Sequence, residues 1–148
     1  MQAKQRDKML KEKLIKIKST TVDPRGEKDV IEVTTVGKYG VKDGKAFLSY
    51  DDSGALGVDG VTTILKADRD NVILKRTGAL ESRLEIERGE RHQCHYSTAI
   101  GNFSVGIFGE MLENELSDNG GKLRMSYTID INSELMSHNQ VEITIKEV

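Results

Sequence analysis

His92 and Cys94 stand two residues apart in the run Arg91-His92-Gln93-Cys94-His95-Tyr96, and imidazole and thiolate are both groups that zinc accepts. On a strand, side chains two apart project from the same face, which is how a metal site begins. Two donors fall short of a four-ligand shell. His95 belongs to the opposite face, His138 is far along the chain, and there is a single cysteine. Tight zinc binding is therefore not expected, and the pair reads as a buried thiol beside a satisfied histidine. A Cys94 nucleophile lacks the same support: His95 points away, His92 lies one pleat off, and no third group orients either.

The other chemistry-bearing groups are carboxylates. Glu85 and Glu87, or Glu113 and Glu115, would share a strand face about 7 Å apart, a separation some glycosidase pairs use. They alternate with Leu84 and Ile86, or lie between Leu112 and Leu116, so they read as solvated charge on a wet face. No Gly-x-Ser-x-Gly elbow, phosphate-binding loop or dinucleotide fingerprint occurs. Gly54, Gly57 and Gly60 are evenly spaced, but they lead into a strand and not into the helix N-terminus that holds phosphate. No cofactor is implied, and the chain reads as non-catalytic.

A polar cluster facing inward is the remaining candidate. His92, Cys94 and Tyr96 would share a face, Ser82, Leu84 and Ile86 would pair with it across a hairpin, and Arg76 continues the face of Val72 and Leu74. An arginine aimed into a core must be paired or hydrogen-bonded, because an isolated buried charge is too costly. One outcome is an internal network in a filled core. The other is a pocket where Arg76, His92 and Tyr96, with Ser82 across the hairpin, meet the anionic or polar head of a small ligand, with Leu and Ile around its tail.

The elements that would hold these residues are strands. Ile15, Ile17, Ser19 and Thr21 alternate with Lys16, Lys18 and Thr20, and Leu123, Met125, Tyr127, Ile129 and Ile131 alternate with polar neighbours. Similar period-two runs pass through Ile31–Tyr39, Ala46–Tyr50, Val61–Leu65, Val72–Leu74, Leu84–Ile86, Phe103–Leu112 and Val141–Ile145. Turn residues separate them at Asp23-Pro24-Arg25-Gly26, Asp43-Gly44, Asp68–Asn71, Arg88-Gly89, Gly101-Asn102 and Asp118–Gly121. Gly106 and Gly109, inside a strand, mark a bulge or bend. The absence of strand–helix alternation excludes a parallel sheet. An all-β, single up-and-down antiparallel barrel of about eight to ten strands is favoured over a sandwich, since closure removes the edges of such a meander and sandwiches use longer Greek-key crossovers.

One domain fits 148 residues, of which 36 % are apolar and 31 % charged, with a net charge of −2. That balance excludes a disordered chain, and no apolar run reaches the length of a membrane helix. Residues 1–12 form a charged arm with a short helix expected over residues 2–12, and residues 13–148 form the barrel. Residues 1–18 carry seven Lys or Arg against Asp7 and Glu12, whereas from Glu81 onward twelve acidic residues face six basic ones. The basic arm reads as a solvated segment rather than a nucleic-acid contact. One cysteine, and a first stretch without an apolar signal region, point to the cytoplasm.

From Val61 to the C-terminus, about 60 % of the chain, the sequence resembles the YwiB-like bacterial family of small calycin-like, or lipocalin-like, β-barrels. The resemblance is carried by Gly60-Val61-Thr62-Thr63, Arg76-Thr77-Gly78, Ser82-Arg83-Leu84, His92 with Tyr96, Gly101 and the last two strands. Where that family usually reads Thr-Pro-Tyr-Gly, this chain has Thr98-Ala99-Ile100-Gly101. The resemblance implies a fold and no catalytic residues. Two functions stay open: a barrel that binds a small anionic or amphipathic ligand inside, or a filled barrel that meets a macromolecular partner through its outer surface. The sequence does not distinguish a monomer from a homodimer.

Overall fold

The computed structural model describes residues 10–52, 59–98 and 100–148. Among these the chain forms ten strands and no helix: β1 (Lys11–Val22), β2 (Lys28–Lys42), β3 (Lys45–Asp51), β4 (Val61–Ala67), β5 (Asn71–Gly78), β6 (Ser82–Glu87), β7 (Arg91–Thr98), β8 (Gly101–Ser117), β9 (Gly120–Ile131) and β10 (Glu134–Lys146). Each strand pairs antiparallel with the next in the chain, and β1 pairs with β10 to close the barrel. The helix expected over residues 2–12 is not found where it can be checked. Lys11 and Glu12 already belong to β1, paired with Tyr39 and Lys38 of β2, so the barrel begins two residues before position 13. Residues 1–9 lie outside the described residues.

Period-two patterning produces this directly, because each strand turns one apolar row toward the axis. Ile15, Leu65, Val72, Ile86, Ile107, Leu123 and Ile143 are all but inaccessible, each such side chain contributing about 1.5–3 kcal/mol of burial. Asp43 and Gly44 both have positive φ (54° and 76°), the two-residue hairpin geometry that Asp-Gly favours. Asn132 and Ser133 (φ 52° and 69°) repeat it between β9 and β10 without a glycine. β8 shifts register between Gly109 and Met111, the bulge that the glycines suggested.

The two ends of the barrel differ. At the base, Tyr39 is buried and its hydroxyl donates to the Ser117 carbonyl at 2.6 Å. Burial, reinforced by Asp118, pushes its phenol up to about 12. Lys13 is buried there too and is paired with exposed Glu147. The opposite end, the mouth, carries the β1–β2, β3–β4, β5–β6, β7–β8 and β9–β10 connections.

Candidate functional site

β3 delivers Tyr50 and, one residue past its end, Asp52 to the interior, where both are buried. The Asp52 backbone amide donates to the Val61 carbonyl at 2.9 Å, so the chain is held against β4 as it leaves the sheet. Thr63, directly opposite Arg76 across β4–β5, donates its hydroxyl to Asp52 Oδ2 at 2.7 Å. Arg76 Nε donates to the same oxygen at 3.4 Å, and the two side chains are only 17 % and 7 % exposed. The arginine does face inward, and its partner is Asp52, a residue that the sequence alone does not single out. Asp52 continues the inward phase of Ala46, Leu48 and Tyr50 by one more step, and that is the signal that could have found it.

Tyr127 of β9 lies close enough to both Arg76 and Tyr96 to sense them. Burial pushes its phenol up to about 12, with Tyr96 adding to the shift and Arg76 opposing it. Burial likewise raises Tyr50, with Asp52 adding and Arg76 opposing. Tyr96 is half-buried and packs against the core. Above it, Tyr96, Thr98, Phe103, Val105, Ile129 and Ile131 help line a cavity of about 480 Å³ at the mouth. Beside it, Asn139 Nδ2 donates to Ser137 Oγ at 2.9 Å, and Thr21 Oγ1 donates to Asn139 Oδ1 at 3.1 Å. Apolar side chains dominate the cavity lining, and the polar groups at this end of the barrel hold one another. Among the described residues, every buried side-chain nitrogen and oxygen has a hydrogen-bond partner.

Ser82 is buried, but its hydroxyl oxygen accepts the Ser97 backbone amide at 2.7 Å. It ties β6 to β7 where the regular ladder between them is reduced to Arg83 opposite His95. Such a tie matters because an unpaired buried amide costs about as much as a lost hydrogen bond.

His92 does not join the inner cluster. Strand alternation puts it beside Cys94 and Tyr96 inside the barrel, whereas its Nε2 lies 2.8 Å from Glu87 Oε1 and 3.7 Å from Glu85 Oε2. Those glutamates alternate with buried Leu84 and Ile86, so the imidazole sits on the outer face. The cause is the interrupted β6–β7 ladder. The hairpin tip leans on β8, where Gly89 donates to the Gly109 carbonyl and Gly109 donates to the Glu90 carbonyl. A side chain at Gly109 would collide with the Glu87 backbone. Cys94 stays inside, accepting the Glu85 amide at 3.3 Å, and burial raises its thiol.

A closed, all-β antiparallel barrel with this patterning is matched by a family model described as a domain of unknown function, DUF1934, over residues 15–143. The chain belongs to that family. It is 27 % identical over 125 residues to the uncharacterized beta-barrel protein YwiB of Bacillus subtilis (strain 168), covering 84 % of this chain and 87 % of the relative. The crystal structure of the YwiB protein from Bacillus subtilis superposes with a TM-score of 0.81 at 24 % identity, covering 97 % of this chain and 98 % of that one. The resemblance noted in the sequence thus extends to the first strands as well.

Proposed function

We propose that the protein is a non-catalytic binding protein that takes a small amphipathic molecule into the mouth of its barrel. The observation that carries this reading is the cavity of about 480 Å³, with Phe103, Val105, Ile129 and Ile131 in its walls. That size and lining suit a small-molecule site, and a closed up-and-down barrel is the architecture by which calycin-like proteins hold ligands. At the same end of the barrel, Arg76 already has Asp52, so a donor and an acceptor are offered together. A neutral polar or zwitterionic head suits that pair better than a bare anion, which would have to displace the aspartate. The single, buried thiol is in keeping with a reducing, cytoplasmic setting.

Native mass spectrometry of protein purified from its own cells tests the reading. A retained small molecule, reduced by Tyr96→Ala and by Ile129→Ala, is the expected result. No retained mass, together with no saturable binding of a fluorescent amphiphile, would sink it. The pairing of every buried side-chain nitrogen and oxygen among the described residues supports a second reading, a filled barrel working through its outer surface. That reading expects co-purification of a macromolecular partner and an empty mouth.

A further inference from the structure

On the outer wall, the irregular β6–β7 ladder gathers three groups that regular alternation would have kept apart. Glu85, Glu87 and His92 each offer a ligand atom, and these atoms lie within 4.8 Å of one another. We propose that they form an exchangeable site for a divalent transition-metal ion of the zinc class, open to water on its exposed side. The site is separate from the mouth cavity and stands independently of what that cavity binds.

The spacing suits such an ion. Zinc bonds to nitrogen and oxygen are about 2.0–2.2 Å long, so tetrahedral donors stand roughly 3.4 Å apart. The separations of 2.8 Å and 3.7 Å from His92 Nε2 to the two carboxylates lie on either side of that value. Small side-chain rotations therefore complete the site. Two carboxylates and a neutral imidazole also carry the charge that a dication balances.

The donors are oriented before any ion arrives. Asn71 Nδ2 donates to Glu85 Oε2 at 2.9 Å, while Arg83 sits 3.6 Å from the other oxygen, Oε1. Oε2 is thus held toward His92, which is the work of an outer shell around a metal ligand. From the barrel interior, Cys94 accepts the Glu85 amide and fixes the backbone beneath it. Other nearby cations are engaged elsewhere, Arg88 with Asp70 and Arg91 with Asp130. A hydrogen bond from His92 satisfies Glu87 alone. The second carboxylate, Glu85, shares its charge with Arg83 at Oε1 but has its Oε2 aimed by Asn71 into the same space, facing Glu87. A cation between them removes that repulsion, and imidazole with carboxylate favours zinc, cobalt, nickel or manganese over magnesium and calcium.

The test uses the full chain, free of any affinity tag and stripped with a chelator, titrated calorimetrically with zinc about one unit above imidazole's ordinary pKa of about 6.5. Expected is one zinc per chain, a melting temperature that climbs with zinc concentration, and no competition from magnesium. Asn71→Ala should weaken binding about tenfold and His92→Gln or Glu87→Gln at least as much. Cys94→Ser should leave it unchanged. All of these outer residues are at least partly exposed, and far-ultraviolet circular dichroism checks that the variants keep the barrel. Cobalt bound to the native chain should show ligand-field bands without a thiolate charge-transfer band. The proposal is overturned by an absence of saturable binding, by full binding in folded His92→Gln, or by a thiolate band that moves the site to Cys94.

Discussion

Arg76 and Asp52 form an ion pair that is weak evidence for stability while intact and costly when broken on one side. Arg76→Met leaves the Asp52 carboxylate buried with Thr63 as its remaining side-chain donor among the described residues. Urea denaturation should show a loss of about 1–3 kcal/mol, most of it recovered when Asp52→Asn is added. Asp130 supplies a pH dependence. Its hydrogen bonds to Arg91, at 3.0 and 2.8 Å, hold its carboxyl below the usual value. A depressed folded pKa means the pair contributes above the unfolded value of about 3.9 and is lost as pH falls through the folded one. The melting temperature of the native chain should therefore drop below about pH 4, and less steeply in Asp130→Asn. The inward aim of Arg76 was legible because Val72 and Leu74 set the phase. Asp52 was obscured by the glycines after it, and His92 by a ladder that breaks for reasons located on another strand.

At the level of elements, alternation and turn chemistry were sufficient to read an up-and-down meander of about eight to ten strands, of which the structure has ten among the described residues. Asp-Gly at 43–44 announces a hairpin, whereas Asn132-Ser133 does not, although both residues adopt the same left-handed geometry. A serine held at positive φ costs about 1 kcal/mol relative to glycine. Ser133→Gly should raise stability by up to that amount in chemical denaturation, since the Ser133 amide keeps its bond to Asp130 Oδ1. The β6–β7 hairpin was the hardest element to read. Leu84 and Ile86 gave its inner face correctly, but the regular pairing expected with β7 yields to the contact of its tip with Gly109. That contact joins residues about twenty positions apart, which no local pattern can display.

For the whole molecule, the barrel buries Tyr39 and Tyr50 and packs the partly buried Tyr127 against the core. Tyr39 at the base and Tyr127 beneath the mouth are each pushed up to about 12, and Tyr50 is raised as well. A raised folded pKa means that stability is intact below the unfolded phenol value of about 10 and is lost as pH climbs from there through the folded values. Phenolate absorbance and loss of the β-sheet signal should consequently rise together in one alkaline transition. Early ionisation of Tyr39 or Tyr50, both buried, in an intact barrel would show that water reaches them. The closed architecture itself was legible, because so many half-buried strands with short connections have few other ways to hide their edges.

The β1–β10 seam has a kinetic consequence. Every other strand pair joins chain neighbours, while Ile17 opposite Ile143 and Ser19 opposite Val141 join the two ends of the sequence. Closing so long a loop is entropically late, so contacts across the seam should form after the folding barrier rather than on it. Val141→Ala should then quicken unfolding in stopped-flow experiments while leaving the refolding rate nearly unchanged. The barrel would open as it closed, along one line.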